Sequence, residues 1–548
     1  MSTIIGRTFA NNKRTTLTIV AGAAVFAIVS FIIFLAVSRL LSNTSEFCLT
    51  EDCVRHTTLL TQYLDSTRDP CNNFRDYVCS AWHSSSDYSE QVTSVMDSLR
   101  FSWYKDFRDI LMQGSLKIPA GRKPLAMYDM CISGYKSGAS QLTPFLEFLK
   151  RGDLTWPEPP KVLFEPLSLT VYLAYRWQSP FWISVSVLEP TSSGKRRILV
   201  SPGLYLPIVR KQHRSARLTY VKYWELFLVH LYPDAATRPP INVTDVENVR
   251  DVERDILESL SSVISSKKMQ PALFPFGELR NHVPIASVSD WVEAFQLGLS
   301  IEPDLTLQDY LVVSDMALIR TLAEILVKYT ARQLNKHLIW LLVQYHSPLA
   351  GYEFLKIHYG SERKAAKYLL AYCAHRVEVS YKALVLALGF YSLFTAQDIR
   401  TIDTGFDTLV TEAVKKIYSC KWMDKESKVR ATRKLTAVKK ALWPPAPAVD
   451  KDELERVHAK FPEKADTFFR YWALASIAAM RANWTREYLE ALRLRWNNLP
   501  DYVGYDYVLN SVELQLRSPR RLRTTGMAQK PCCTVGSFSS WRCSWCVP

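Results

Sequence analysis

Apolar residues recur at every third or fourth position along most of the chain, which is the spacing that buries one face of an α-helix. The segment from Tyr310 to Tyr345 keeps this spacing long enough to predict one long helix or a pair of helices. Thr244 to Ser265 has the same pattern and opens with a threonine followed by acidic residues, a favourable helix start. A third, heavily charged helix is predicted from Asp424 to Leu442, where Pro444 and Pro445 end it.

One segment alternates with a period of two instead. From Phe181 to Gly203, apolar and polar residues alternate on both sides of the turn-rich sequence PTSSG, which is typical of a β-hairpin. No internal repeat and no long low-complexity linker interrupts the pattern. The sequence therefore predicts a mainly α-helical fold, in which one large helical unit carries minor β-hairpin structure.

The run from Thr15 to Ser38 is mostly apolar and has no charged residue. At 1.5 Å per residue it can cross a hydrocarbon layer of roughly 30 Å. Three basic residues precede it, so the positive-inside rule places residues 1–14 in the cytosol and the chain from residue 39 onwards outside. A cleaved signal peptide is the alternative, but its apolar core would be shorter, about 7–15 residues. We therefore predict an uncleaved transmembrane signal-anchor at 15–38 and a single-pass type II protein of the plasma membrane.

The net charge of +15 changes this picture little. The basic residues are spread along the whole chain without a Cys/His finger or a basic zipper, so nucleic acid is not an expected partner. A solvated surface, or attraction to anionic glycans or lipid headgroups, is the better interpretation. Three N-x-S/T sequons on the outer side are candidate glycosylation sites: Asn43, Asn242 and Asn483.

The chain has 11 cysteines, and the odd number leaves at least one thiol unpaired. The first seven are widely scattered without zinc-finger spacing, which suits disulfides in an oxidising compartment. The last four lie within residues 517–548, a segment without apolar periodicity that differs in character from the rest. We expect this tail to be aberrant and disordered.

The stretch DPCNNFRDYVCSAW, from Asp69 to Trp82, is a more specific signal. Its spacing of Asp, Pro, Cys, Phe, Tyr, Cys and Trp resembles the start of the ectodomain in the neprilysin and endothelin-converting-enzyme family of membrane zinc metallopeptidases. Three further segments resemble that family in the same order: YDMCISGY (128–135), RRILVSPGLYLP (196–207) and CAHRVEVSYKALVLALGFYSLF (373–394). Residues 39–516 are therefore expected to form a neprilysin-like N-terminal peptidase-family ectodomain.

The resemblance implies a zinc enzyme that hydrolyses extracellular peptides, with an H-E-x-x-H helix whose two His bind zinc and whose Glu is the general base. None of the ten His residues lies four positions from another, and none follows His458. We therefore expect no catalytic residue, no metal ligand and no bound zinc in this chain. His337 and His346 lie in an apolar helical stretch and are interpreted as surface or core residues.

One piece of the family's substrate site has a counterpart. The family's substrate-binding edge strand contains N-A-x-Y, with a second Asn five residues after the Tyr. Tyr505 and Asn510 keep that spacing, whereas Tyr502 and Val503 stand where Asn and Ala would be. Tyr505 and Asn510 are interpreted as a remnant of the strand.

The resemblance also implies disulfides, between Cys48 and Cys53 and between Cys131 and Cys373. The family's partners for the two cysteines of the DPCNNFRDYVCSAW stretch, Cys71 and Cys79, belong to a catalytic domain without a counterpart here. These two cysteines are therefore expected to be unpaired.

The tail offers an explanation for the missing domain. Read two bases out of phase, the possible codons of Thr524 to Gly536 can spell a string that resembles the family's segment before the zinc helix. We hypothesise that a frame change, through splicing or a sequence error, truncated the chain before that helix.

Two classes of function follow. One is a zinc metalloendopeptidase that cleaves small extracellular peptides, which the resemblance implies. The other is a membrane-anchored, non-catalytic binding ectodomain, a pseudo-peptidase or decoy. For the chain as written, the missing catalytic motif favours the second.

Overall fold

The computed structural model describes residues 51, 54, 57, 58, 61, 62, 64–81, 95–138, 140–188, 191, 193–203, 205, 219–265, 270–482, 504–506 and 510–513. The predicted anchor at 15–38 and the predicted tail at 517–548 lie outside them. The chain divides into two compact units: Met1–Ser85 with Gly405–Leu409 and Pro519–Pro548, and Ser86–Thr404 with Val410–Ser518.

The described part of the chain is mainly helical, as predicted. Its helices are α1 (Phe74–Cys79), α2 (Val95–Ser115), α3 (Arg122–Lys136), α4 (Leu142–Arg151), α5 (Pro166–Tyr175), α6 (Tyr220–Leu231), α7 (Val243–Ser265), α8 (Leu279–His282), α9 (Val288–Leu299), α10 (Met316–Lys328), α11 (Ala331–His346), α12 (Tyr352–Tyr359), α13 (Glu362–Leu393), α14 (Ala396–Ser419), α15 (Lys425–Thr436), α16 (Ala446–Val449), α17 (Lys451–His458) and α18 (Phe468–Arg481). Its strands are β1 (Ile183–Leu188), β2 (Arg197–Pro202), β3 (Ala272–Pro275), β4 (Tyr310–Val313), β5 (Lys439–Ala441), β6 (Gly504–Asp506) and β7 (Ser511–Glu513).

In the first unit, α1 occupies the middle of the DPCNNFRDYVCSAW stretch. The Asn73 side chain caps α1 by accepting a hydrogen bond from the backbone N–H of Asp76. Asp65 accepts hydrogen bonds from the hydroxyls of Thr67 and Ser80, and these bonds lower the pKa of the Asp65 carboxyl. The polar residues of this stretch therefore fix a local turn and a helix start.

Three predicted helices differ from the observed ones at their ends. The N-cap of α7 lies two residues earlier than predicted, because Asn242 and not Thr244 caps the helix. The segment from Tyr310 forms strand β4 before the helix pair α10 and α11, and α11 opens with a capping box of Thr330 and Gln333. α15 ends at Thr436, and strand β5 follows where the prediction continued the helix.

The larger sheet has the order β1-β2-β4-β3. β1 and β2 pair antiparallel from Ile183↔Pro202 to Leu188↔Arg197, which confirms the predicted hairpin. β4 joins parallel to β2 and antiparallel to β3, so it connects the hairpin to a strand from another part of the chain.

The core of the second unit is built around α13, which packs against α2, α3 and α18. Gly389 of α13 lies against α2, where an added Cβ would stand 2.7 Å from Cη2 of Trp103. Halfway along α13, Lys382 leaves helical geometry with φ 22° and ψ −96°. Within the described part of the chain, no single helix is long and apolar enough to cross a membrane; α13 and α14, bent by 96°, meet the length and composition criteria only as a pair.

Candidate functional site

A small second sheet carries Tyr505, and Asn510 directly precedes one of its strands. The family resemblance assigns both residues to a substrate-binding strand. β5 runs parallel to β7 and β6 runs antiparallel to β7, so the order is β5-β7-β6. Tyr505 of β6 pairs with Val512 of β7. Within the described residues β6 pairs on one side only.

Tyr505 and Asn510 contact each other directly. The Tyr505 hydroxyl donates to Oδ1 of Asn510 at 2.8 Å, and Nδ2 of Asn510 donates to the Lys434 carbonyl oxygen in α15 at 2.9 Å. The Asn510 carbonyl accepts from the backbone N–H of Lys439 at 2.9 Å. Asn510 has a left-handed φ of 49°, which asparagine tolerates better than most residues. Asn510 thus ties α15 to the sheet, while the Tyr505 side chain stays 45% exposed.

No metal site forms among the described residues, since no group of three or more His, Cys, Asp or Glu side chains there could hold an ion. His337 and His346 are buried in α11. Burial lowers the pKa of His337 to about 3. Burial and the neighbouring Arg376 hold the pKa of His346 well below its usual range, and Nε2 of His346 lies 2.8 Å from Oγ of Ser179. Both imidazoles are neutral core groups, so the described residues do not fit the zinc site of the resemblance.

The cysteines behave differently from one another. Cys131 and Cys373 form a disulfide with a Cα–Cα distance of 5.8 Å, which joins α3 to α13 and is the pair that the resemblance implies. Cys71 has a free, exposed thiol, and Cys420 is also free. Cys79 is disulfide-bonded.

The prediction that Cys79 is unpaired is therefore wrong. It rested on the absence of the family's partner cysteines from this chain. Any other thiol of the chain can pair with Cys79 once the two Cα atoms come within about 4.4–6.8 Å of each other.

Among the predicted glycosylation sites, Asn242 is exposed at the start of α7. Its Oδ1 accepts from the backbone N–H of Asp245 at 3.2 Å. The other two sequons and one predicted disulfide lie outside the described residues and stay predictions: Asn43, Asn483 and Cys48–Cys53.

A second feature is a cavity of about 360 Å³ in the second unit, where the C-terminal ends of α5, α9 and α11 meet the middle of α13 and α18. Aromatic rings dominate its wall, and its charged side chains are Arg176, Arg376 and Lys382. Nothing in the sequence singled out this cavity. The available signal was two basic residues, Arg376 and Lys382, in a mostly apolar helix.

Comparison with known proteins places the chain in a family. The sequence profile of Peptidase family M13 matches residues 70–444. Membrane metallo-endopeptidase-like 1 of Mus musculus is 20% identical over 441 residues, which cover 74% of this chain and 56% of that relative. Endothelin-converting enzyme 1 of Homo sapiens is 22% identical over 452 residues, which cover 78% of this chain and 57% of that relative. Neprilysin of Homo sapiens is 20% identical over 463 residues, which cover 77% of this chain and 60% of that relative.

This chain thus spans little more than half the length of these relatives. Among solved structures, the Mycobacterium tuberculosis zinc metalloprotease ZMP1 in complex with an inhibitor superposes with a TM-score of 0.55 at 16% identity, over 83% of this chain and 69% of that one. PepO from Lactobacillus rhamnosis HN001 gives a TM-score of 0.54 at 11% identity, over 85% of this chain and 72% of that one. Both share its fold. Because the family profile matches more than half of the chain, this protein belongs to peptidase family M13.

Proposed function

We propose that this chain binds extended extracellular peptides at the outer edge of β6, as a peptide-binding domain of the M13 metallopeptidase type. The observation that carries the proposal is the contact between Tyr505 and Asn510 at 2.8 Å, which fixes the start of β7 beside an exposed ring and an edge of β6 that is unpaired among the described residues. A peptide that adds to such an edge gains main-chain hydrogen bonds, and the neighbouring side chains select its sequence.

Hydrolysis needs more than this edge. A zinc-bound water and a general base would come from an H-E-x-x-H helix, and the 548 residues contain no such motif. The chain as written therefore binds peptides without cleaving them, as a pseudo-peptidase or decoy would. Peptidase activity is the second candidate, and it requires a zinc helix that these residues do not supply.

The location of this domain is part of the proposal. We infer an ectodomain at 39–516, anchored at 15–38 in the plasma membrane with its N-terminus in the cytosol. The disulfide between Cys131 and Cys373 supports an oxidising compartment, and the Mus musculus relative is named a membrane metallo-endopeptidase-like protein. Protease treatment of intact cells tests this topology: an epitope placed before residue 14 should stay protected, while one near Asn242 should be removed.

Peptide binding is tested by fluorescence anisotropy with the full chain and a fluorescein-labelled extended peptide. Tyr505→Ala should weaken binding about five-fold or more, because an exposed aromatic anchor at an interface contributes about 1 kcal/mol or more. Tyr418→Ala is the matched control, since Tyr418 is also an exposed tyrosine, 56% accessible, on α14. Equal affinities of the two variants would contradict the proposed edge.

Catalysis is tested separately, by incubating the same protein with zinc and a quenched fluorogenic peptide. We expect no hydrolysis. Hydrolysis that phosphoramidon inhibits would overturn the non-catalytic assignment and leave the binding edge untouched. The frame-change hypothesis stays a prediction, and sequencing the transcript around codon 516 tests it. An intact genomic frame through residue 548, with no zinc helix in any downstream frame, would contradict it.

A further inference from the structure

The cavity beside the middle of α13 has an unbalanced charge. Its wall contains three basic side chains, Arg176, Arg376 and Lys382, and none of the described residues that line it is an Asp or Glu. A buried or partly buried cation is costly unless a negative group or several hydrogen-bond acceptors face it. The three cations differ in the partners that compensate them.

Arg176 has such a partner, because its Nη2 donates to the Ser300 carbonyl oxygen at 2.9 Å. Arg376 is compensated only in part. It is 4% exposed, its Nη2 donates to the Tyr345 carbonyl oxygen at 2.8 Å, and its guanidinium carbon lies 4.7 Å from the centre of the Tyr345 ring. Nε of Arg376 is buried without a hydrogen-bond partner. Its Nη1 lies 3.4 Å from Nδ1 of His346, which is neutral and adds no negative charge.

Lys382 has no compensation at all among the residues that the structure describes, where its ammonium forms no hydrogen bond and no ion pair. Burial lowers the pKa of Lys382 to about 8, so the charged form is disfavoured until an anion joins it. Its backbone stands in the left-handed region, with φ 22°. Non-helical geometry inside a helix has a conformational cost, and such strained residues cluster at binding and active sites.

Two further residues with positive φ line the same cavity, Gln178 with φ 54° and Ser300 with φ 46°, of which Ser300 is the left-handed C-cap of α9. Among the described residues, these and Lys382 make three of the five non-glycine residues with positive φ. The cavity volume of about 360 Å³ lies at the small end of ligand-binding pockets, which span roughly 300–1,000 Å³. The residues with positive φ, the ligand-sized cavity and the basic side chains thus lie at the same place in the fold.

We propose that this cavity binds a small organic carboxylate with an aromatic or apolar body. The carboxylate pairs with the Lys382 ammonium in the positive field of Arg376, and the body of the ligand lies against aromatic rings such as Trp177 and Trp472. A singly charged anion suits this wall, because one ammonium is unpaired and the rest of the lining offers mostly ring faces. The site is independent of peptide binding at β6.

The test uses isothermal titration of the full chain with three probes. 3-Phenylpropionate carries both the ring and the charge, 3-phenylpropan-1-ol keeps the ring without the charge, and acetate keeps the charge without the ring. We expect 3-phenylpropionate to bind at least about ten-fold more tightly than either other probe, because a charge-assisted hydrogen bond and ring burial each contribute that much. Equal binding of the alcohol and the acid overturns the proposal, and so does absence of binding by all three probes.

Variants locate the site. Lys382→Met should weaken 3-phenylpropionate binding about ten-fold or more, and Lys382→Arg, which keeps the charge, should restore most of it. Lys425→Met is the control, because Lys425 is exposed on α15. Wild-type affinity in Lys382→Met overturns the assignment. Because the three probes are also compared on the unmodified chain, the proposal stays falsifiable if Lys382→Met does not fold.

Discussion

The ammonium of Lys123 lies 2.8 Å from the carbonyl oxygen of His458, although 335 positions separate the two residues in the sequence. The same ammonium donates to the carbonyl oxygens of Ala459 at 3.0 Å and Phe461 at 2.9 Å. These carbonyls lie at and beyond the C-terminus of α17, where helical C=O groups lack partners and a positive charge is favourable. Lys123 of α3 therefore caps a helix from a distant part of the chain.

Replacing Lys123 tests this cap. Lys123→Met should lower the free energy of unfolding by about 2–4 kcal/mol, because three carbonyl groups lose their donor in a site where Lys123 is 8% exposed. Urea unfolding followed by circular dichroism gives the change. Lys117→Met, at an exposed lysine just before α3, should change it by less than about 0.5 kcal/mol. Similar values for the two variants would contradict the capping role.

Glu253 should make the free energy of unfolding depend on pH. It is 3% exposed, it accepts a hydrogen bond from the Tyr220 hydroxyl at 3.2 Å, and burial raises its pKa from 4.5 to about 7. Between these two pH values the folded chain holds a proton that the unfolded chain has released. The contribution of Glu253 to stability therefore falls as pH rises through this window, by about 3 kcal/mol in all.

Glu253→Gln should remove that dependence. Relative to the unmodified chain, the variant should gain about 3 kcal/mol between pH 4.5 and pH 8, since its amide cannot ionise. Chemical denaturation at both pH values measures the gain. His337, whose Nε2 lies 3.9 Å from Oε2 of Glu253, is present in both proteins, so its own titration largely cancels in the comparison. A difference that does not change with pH would rule out the raised pKa.

Alanine substitutions at Gly389 and at Gly405 should change stability in opposite directions. Gly389→Ala should destabilise the chain by about 1–3 kcal/mol, because the new Cβ would stand 2.7 Å from Trp103 and overpack the contact of α13 with α2. Gly405→Ala is the matched control in helix α14, where an added Cβ meets nothing within 4 Å. It should be neutral or stabilising by up to about 1 kcal/mol, because alanine favours helices. Thermal unfolding of both variants decides whether the signs differ.

The disulfide of Cys131 and Cys373 closes a loop of 242 residues. Replacing both cysteines by serine should lower stability by about 2–5 kcal/mol, because the unfolded chain regains the freedom that the bond removes. Cys420→Ser, at a free cysteine, is the control and should leave stability nearly unchanged. If dithiothreitol destabilises the double variant as strongly as the unmodified chain, another disulfide carries the effect.

The sequence predicted the elements whose determinants are local. The β1–β2 hairpin follows from alternation around a turn. Prediction was wrong where strands form with distant partners. The residues of β4 were predicted to begin a helix, and those of β5 to end one, because their apolar and charged positions are compatible with helical spacing. In the structure β4 pairs with β2 and β3, and β5 pairs with β7.

By itself, the sequence determined the family and the mainly helical class, because fixed residue types at fixed spacing and a recurring apolar period specify these. The pairing of Cys131 with Cys373 was implied by the resemblance to that family. Only the tertiary structure decided where charges are left without partners. Arg376 and Lys382 look like ordinary basic residues of a helix in the sequence. Their partners, or the lack of them, depend on the rings and carbonyls that α5, α11 and α18 bring to α13. Burial and long-range contact set the energy of a charge, and neither is encoded in local spacing.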